Sequence, residues 1–459
     1  MTESPRAQET LPPGHQVDLP TERIHRVARP VTRFLGVQSA SGGLLLLSTV
    51  LALLFANSRS GHDLALFWDT SLSISWGTHE VKNSLKHWIN DGLMVIFFFV
   101  VGLELKREVV LGQLNSIRAA VLPIVGAFGG MVVPAGLYLS LQWGDIGYKG
   151  WGIPMATDIA FMVGCLTLLG NRVPNTLRVL LLTLAVTDDL GAVLVIAFGY
   201  SHGLQLTFLA LGFIAIGVMM FTAWIGTRSV PIYIIQGVLI WFAFHESGIH
   251  ATIAGVIIGL LTPVNPWISE GLLAQLIRRL EFFLTHGFFG DQEYKRAMLK
   301  KLERAARESV SPLERLEVAL HPWVAFLIIP LFAFANAGVP LHADAFSQPI
   351  TIAIIVGLVL GKPIGVVLAL GTAVYLGWAK LPEDVTWRTL TYSSILTGIG
   401  FTMSLFIAEL ALEGAALDAA KIGVLTASTI CAVVGMGLML CTSHTSGSSN
   451  QADRPTRGL

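Results

Sequence analysis

Apolar runs long enough to cross a bilayer recur along most of this 459-residue chain. A helix needs about 20 predominantly apolar residues to span the hydrocarbon core of a membrane. Twelve segments meet or approach that length: 36–56, 89–105, 119–141, 151–169, 178–199, 205–225, 230–244, 248–262, 323–340, 350–371, 390–412 and 418–441. Charged residues make up only 13% of the chain, too few for an ordinary soluble protein. The sequence therefore predicts an all-α polytopic membrane protein with about twelve transmembrane helices.

The basic residues fall mainly in alternate loops. If the N-terminus is cytoplasmic, 24 of the 30 lysines and arginines lie in cytoplasmic tails and loops, five lie on the outer side, and Lys362 alone lies within a span. Cytoplasmic loops of membrane proteins are enriched in these residues. We therefore expect both termini to be cytoplasmic and the number of spans to be even.

The segments outside the apolar runs define the domain organisation. Residues 1–35 form a polar N-terminal tail, 36–441 a membrane domain, and 442–459 a polar tail predicted to be disordered. The membrane domain contains a cytoplasmic insertion, 263–320, with leucines at helical spacing beside basic residues. That pattern is typical of amphipathic helices on the inner leaflet, and a regulatory role is the alternative.

A short stretch between the first two runs has a different periodicity. Residues 71–76 alternate polar and apolar side chains and are followed by Gly77. Alternation with period two before a glycine predicts a β-strand leading into a turn. We expect a small hairpin on the outer side.

Adjacent aspartates occupy the middle of the fifth apolar run. A carboxylate at the centre of a membrane helix costs about 3 kcal/mol on insertion scales, and Asp188 and Asp189 are two of them. Neighbours on a helix do not share a face, so one can face a site while the other needs a different partner. The pair indicates movement of ions or protons.

Two apolar runs carry breaks in their helical pattern. Asp158 follows Pro154 and Thr157 in the fourth run, and the string Thr397-Gly398-Ile399-Gly400-Phe401-Thr402 lies in the eleventh. Interrupted helices expose carbonyl groups, which a membrane protein tolerates where they line a cavity. Two such segments in corresponding halves of a transporter predict a binding site at the midplane. Bent helices without an ion-binding role are the alternative.

Lys362 is the candidate partner for one of the two adjacent aspartates. It lies deep in its run, in Leu360-Gly361-Lys362-Pro363, where a charged side chain needs compensation. We expect it to pair with Asp188 or Asp189, and snorkelling to the interface is the alternative.

The chemistry of these groups favours cation exchange. Sites built from oxygen atoms alone bind hard cations, and Na⁺ or Li⁺ suits the modest charge. Carboxylates held close together in a partly dry site also bind protons near neutral pH. A proton and a cation would then compete for the same oxygens, which predicts an exchanger without a cofactor. The formal net charge of zero gives no indication of a nucleic-acid partner.

A charged patch ends the second run. Glu104 and Arg107 are three residues apart and could pair on one helix, with Lys106 and Glu108 beside them. An interfacial anchor is the simpler interpretation. His250, at the start of the eighth run, could titrate near neutral pH or be merely structural.

Taken together, these strings closely resemble the NhaA family of bacterial sodium/proton antiporters. The matching strings are Ser41-Gly42-Gly43, Phe99-Val100-Val101-Gly102-Leu103-Glu104-Leu105-Lys106-Arg107-Glu108, Ala156-Thr157-Asp158-Ile159-Ala160-Phe161, Asp188-Asp189-Leu190-Gly191-Ala192, Ser247-Gly248-Ile249-His250-Ala251-Thr252, His321-Pro322-Trp323-Val324, Phe332-Ala333-Phe334-Ala335-Asn336-Ala337-Gly338, Gly361-Lys362-Pro363 and Gly398-Ile399-Gly400-Phe401-Thr402-Met403-Ser404. They run in order through about 36–441.

The resemblance implies a fold and an ion site. It implies twelve helices with inverted-topology repeats, in which the fourth and eleventh helices are interrupted and cross. It implies that Asp189, Asp158 and Thr157 bind Na⁺, and that Asp188 pairs with Lys362.

The resemblance also implies how the transporter works. Exchange is expected to be electrogenic and to be activated as cytoplasmic pH rises, with Glu104, Arg107, Glu108, Glu317 and His250 as candidates for the pH response. A homodimer through the hairpin near 71–76, in a bacterial inner membrane, is expected as well. Val318 departs from the family pattern, which has a histidine directly after the glutamate.

Two other classes of membrane protein use carboxylates within spans. An intramembrane aspartyl protease places one aspartate in a Gly-x-Gly-Asp string, whereas the neighbours here are Val186-Thr187-Asp188-Asp189. A cation channel has no need of a lysine that competes for the carboxylates. Both classes leave Lys362 unexplained, which favours the exchanger.

Overall fold

The computed structural model describes residues 38–76, 79–200, 203–227, 230–285 and 292–446. These residues form helices joined by short turns, with one two-stranded sheet among them. The predicted tails 1–35 and 442–459 lie outside the described residues except for 442–446, which continue the last helix.

The helices are numbered in chain order. In the first half they are α1 (Gln38–Ala56), α2 (Gly61–Asp69), α3 (85–110, with a π-helical stretch Trp88–Leu93), α4 (Ile117–Leu141), α5 (Ile159–Leu169, after the 3₁₀ turns Ile146–Met155), α6 (Asn175–Gly199) and α7 (Leu206–Trp224). In the second half they are α8 (Val230–Ser247), α9 (Thr252–Leu261), α10 (Glu270–Thr285), α11 (Gln292–Glu308), α12 (Pro312–Asn336), α13 (Pro349–Tyr375), α14 (Trp387–Thr397), α15 (Phe401–Ala411) and α16 (Gly414–Ser446).

The described residues contain six to nine candidate membrane spans. Six helices are long and apolar enough to cross a bilayer, and three bent pairs raise the number to nine if each pair is one span. The predicted eighth run is helical only over α9, whose ten residues rise about 15 Å, half of a bilayer core. Length and composition alone therefore support fewer spans than the twelve predicted.

The predicted hairpin is present. Strand β1 (Ser71–Trp76) pairs antiparallel with β2 (His79–Ser84), so that Ser71 lies opposite Ser84. The loop before it contains α2, which the sequence analysis did not predict. Helix α2 turns back from α1 at 112°, and Trp68 packs edge-on against Phe334 at 5.9 Å between ring centroids. We call the end of the bundle that carries residues 71–84 the hairpin end.

The predicted insertion contains the two helices α10 and α11. Helix α12 begins at Pro312, within the last residues of the predicted insertion, and runs on into the ninth apolar run. The Ser311 side chain accepts a hydrogen bond from Glu314 N at 3.1 Å and thereby caps this helix. We call the end of the bundle that carries the insertion the insertion end.

Glycines allow the central helices to approach closely. A β-carbon added to Gly129 on α4 would collide with the carbonyl oxygen of Gly365 on α13, and the reverse substitution would also collide. Small residues at helix contacts are how membrane proteins bring backbones together. This contact holds α13, which carries Lys362, against α4.

Candidate ion-binding site

The site lies where two helix breaks meet. The 3₁₀ turns Ile146–Met155 are bent by 42° from α5, and α14 is bent by 44° from α15. The two breaks touch, since Asp158 N donates to Ile399 O at 2.7 Å. The interruptions predicted from Pro154 and from the glycine string are thus present and adjacent.

Asp158 caps two helices at once. Its Oδ1 accepts from Phe161 N at 2.9 Å at the start of α5, and its Oδ2 accepts from Thr402 N at 3.0 Å at the start of α15. The hydroxyl of Thr402 donates to the same Oδ2. First-turn N–H groups lack helical partners and carry partial positive charge, so a carboxylate stabilises both ends.

Asp188 forms the predicted ion pair with Lys362. Lys362 Nζ lies 2.7 Å from Asp188 Oδ2, and both side chains are fully buried. Lys362 also donates to the Met155 carbonyl oxygen in the first break. The Thr157 hydroxyl donates to Asp188 Oδ2 at 2.7 Å and lies 3.0 Å from Thr397 O.

Asp189 has a different environment from its neighbour. It is 1% exposed, and its Oδ1 has no hydrogen-bond partner among the described residues. The carboxylates of Asp158, Asp188 and Glu104 are close enough to repel it, and Lys362 is the cation that opposes them. A buried, unpaired carboxylate is costly unless it binds a proton or a cation.

Within the described residues, no group of three or more His, Cys, Asp or Glu side chains is arranged to hold a metal ion. Asp158 is engaged with two helix ends and Thr157 with Asp188.

Thr402 is a site residue that the sequence analysis did not assign. It lies in the string recognised as a helix break, yet its hydroxyl and backbone N–H both reach Asp158. The signal available in the sequence was its position at the end of the glycine-rich string in the second half of the chain.

The charged patch has different partners from those predicted. Arg107 pairs with Glu317 on α12 and not with Glu104 on its own helix. Glu108 Oε1 accepts from Gln113 N at 2.8 Å and from the Thr183 hydroxyl at 3.1 Å. The partner of Arg107 was unpredictable because Glu317 is distant in sequence and reaches it only through helix packing.

A cavity of about 390 Å³ opens beside this patch at the insertion end. Glu108, Gly112, Ser116 and Val179 are among the residues that line it. His250 lies elsewhere, with its Nε2 2.9 Å from Tyr200 O beyond the C-terminal end of α6.

The chain has clear relatives. Residues 32–439 match the family described as Na+/H+ antiporter 1. The Na(+)/H(+) antiporter NhaA of Rhodopirellula baltica is 49% identical over 93% of this chain and 97% of that protein. The Na(+)/H(+) antiporter NhaA 2 of Myxococcus xanthus is 47% identical over 99% of each chain. The structure of the sodium proton antiporter MjNhaP1 from Methanocaldococcus jannaschii has a TM-score of 0.48 at 12% identity and covers 91% of this chain and 95% of that chain.

The family match covers most of the sequence, including both helix breaks, the adjacent aspartates and Lys362. Identity near one half extends over nearly the full length of the relatives. The chain is a multi-pass membrane protein and not an enzyme, and it belongs to the Na+/H+ antiporter 1 family.

Proposed function

We propose that this protein exports Na⁺, and Li⁺ by the same route, in exchange for H⁺ at a site formed by Asp189, Asp158 and Thr157. The observation that carries the proposal is the buried, unpaired carboxylate of Asp189 beside other carboxylates. Such a group binds either a proton or a cation, and the two compete for the same oxygens. This competition by itself couples the movement of Na⁺ to the movement of H⁺.

The exchange follows from the partners of each group. When Na⁺ displaces a proton at Asp189, it also draws Asp158 Oδ2 away from Thr402. The Thr157 hydroxyl donates its hydrogen to Asp188 and keeps lone pairs for the cation. Asp188 stays neutralised by Lys362 throughout. Asp158 would carry a second proton before Na⁺ binds, so that Asp189 and Asp158 release two protons for one Na⁺ and the exchange is electrogenic.

The proposed fold has twelve spans with inverted-topology repeats. Besides the six long helices and the three bent pairs, α3, α8 and α9 supply the remaining spans. The group α4–α5–α6 and the group α13–α14/α15–α16 each have a broken helix in the middle. Repeats of this kind place the substrate at the junction of the broken helices.

The proposed orientation follows from the distribution of basic residues. The insertion end faces the cytoplasm, as do both termini, and the hairpin end faces outward in a bacterial inner membrane. The cavity at Glu108 is then the cytoplasmic entrance. Glu108, which lines this cavity, would set the response to cytoplasmic pH together with Glu104, Arg107 and Glu317, with His250 acting from the outer side.

The function is tested in inside-out vesicles. We expect addition of NaCl or LiCl to dissipate a preformed proton gradient, measured by dequenching of a pH-sensitive dye. More activity is expected at about pH 8 than at about pH 6, roughly a unit on either side of neutrality, because clustered carboxylates bind protons more tightly than isolated ones. KCl at the same concentration is the control. Equal responses to all three salts, or no response to NaCl at any pH, would overturn the proposal.

We propose further that two copies associate through the hairpin. A two-stranded sheet has two free edges, which are able to pair with another strand. Ser71, Leu72 and Ser73 are exposed, and Leu72 is 51% exposed. A second hairpin on this edge would cover them.

Cross-linking tests the dimer. In a variant in which exposed Cys441 is replaced by serine, we expect Ser73→Cys to cross-link in native membranes to twice the monomer mass. Asp145→Cys, exposed between α4 and the first break, is the matched control and is expected to stay monomeric. Monomer alone at Ser73→Cys, or equal cross-linking at both positions, would contradict an interface at the hairpin.

A further inference from the structure

One buried carboxylate at the hairpin end forms ion pairs with two lysines. Lys86 Nζ lies 2.7 Å from Glu409 Oε1, and Lys421 Nζ lies 2.6 Å from the same oxygen. The Glu409 side chain is 12% exposed and the Lys421 side chain 5% exposed. Moving such charges out of water costs several kcal/mol per ion, which these contacts must offset. Lys86 and Lys421 are two of the five basic residues that the sequence places on the outer side.

Glu409 lies in the last turn of the helix that contacts Asp158. Helix α15 begins at Phe401, and Thr402 in its first turn donates to Asp158 through both its backbone N–H and its hydroxyl. Thr402 and Glu409 are seven residues apart, so they share one face, about 10 Å apart along the axis. A shift of Glu409 along that axis therefore shifts the donors that hold Asp158.

Helix α15 is fixed against α16 at two levels. Phe401 N donates to the Ser428 hydroxyl oxygen at 3.1 Å at one end, and Glu409 forms an ion pair with Lys421 at the other. Ser428 and Lys421 are seven residues apart on α16, and Phe401 and Glu409 are eight residues apart on α15, so the two contacts lie at similar separations along two antiparallel helices. Because α15 has a break at its start and ends three residues before α16 begins, these side-chain contacts help to hold its depth, together with the hydrogen bond from the Ser404 hydroxyl to Ile153 O at 2.7 Å.

Lys86 brings in a third element. It lies in the first turn of α3, and the same helix carries Glu104 and Arg107 in its last turns. The cluster therefore ties α15 to a helix that runs through to the charged patch at the insertion end.

We propose that Glu409 is a positioning residue for the ion site: with Lys86 and Lys421 it holds α15 at the depth at which Thr402 contacts Asp158. This inference rests on the proposed role of Asp158 in binding Na⁺. Loss of the carboxylate leaves two lysines facing each other, and their repulsion moves the end of α15.

The test is a kinetic comparison in inside-out vesicles. We expect Glu409→Gln, which keeps the size and removes the charge, to raise the apparent KM for Na⁺ about tenfold, equivalent to about 1.4 kcal/mol. The maximal rate is expected to stay within about twofold, because Asp189 is untouched. The double variant Glu409→Lys with Lys421→Glu restores an opposite-charge pair and is expected to recover the wild-type KM. Glu413→Gln, at an exposed glutamate nearby, is the matched control.

The outcomes separate the inference from the proposed function. An unchanged KM in Glu409→Gln, or no recovery in the exchanged pair, would overturn the positioning role. If the maximal rate and the melting temperature both fall while KM stays constant, the positioning role is also overturned, since that pattern reflects a loss of stability alone. If Glu409→Gln does not reach the membrane, Lys421→Gln breaks the contact between α15 and α16 instead, and an unchanged KM there overturns the inference. A wild-type protein without any Na⁺ response would instead remove the proposed function.

Discussion

We expect replacement of Asp189 by asparagine to abolish Na⁺/H⁺ exchange in inside-out vesicles, while the protein still reaches the membrane. Asparagine has nearly the same shape but neither binds a titrating proton nor neutralises a cation. At 1% exposure the site has little water to replace the lost charge, so binding loses several kcal/mol. A loss of about 3 kcal/mol lowers exchange about 100-fold.

The measurement is Na⁺-induced dequenching across the pH range, with the amount of membrane protein determined by immunoblot. Asp145→Asn changes an exposed aspartate in the same way and is expected to behave as wild type. Full activity of Asp189→Asn would remove Asp189 from the ion site. Activity that merely shifts along the pH axis would instead make Asp189 a modulator and leave Asp158 as the binding group.

Replacing Lys362 by alanine produces the largest loss of stability that we expect from a single substitution in the site. The change leaves Asp188 fully buried without its cation and leaves Met155 O without a donor. Removal of one partner from a buried ion pair costs about 3–5 kcal/mol. The melting temperature of the purified protein is expected to fall by several degrees, and exchange is expected to fall less than in Asp189→Asn.

A compensating variant distinguishes charge from packing. Lys362→Met combined with Asp188→Asn removes both charges and keeps most of the volume, so most of the melting temperature should return. If the double variant melts no higher than Lys362→Met alone, which has the same volume at this position but leaves Asp188 charged, the unpaired charge does not account for the loss. If Lys362→Ala melts with the wild type, the pair with Asp188 contributes nothing to stability.

The positions of the buried carboxylates were predictable, because the free-energy cost of placing a carboxylate in a membrane helix can be recognised from the neighbouring residues alone. An aspartate within an apolar run is visible without any structure, and so are Lys362 and the glycine string. The hairpin at 71–76 was predictable for the same reason, since alternation with period two is a local pattern. Helix α2 escaped prediction because its nine residues are too few for a clear period.

The sequence by itself determined the apolar runs, the positions of the two helix breaks and the identity of the buried charges, since each follows from the free energy of placing single residues in a membrane. The tertiary structure alone decided which group pairs with which. Arg107 contacts Glu317, and Thr157 contacts Asp188. Glu409 forms ion pairs with both Lys86 and Lys421. These partners are far apart along the chain or compete with nearer candidates. Their choice depends on how whole helices pack, and helix packing is fixed by many weak contacts that leave no local pattern in the sequence.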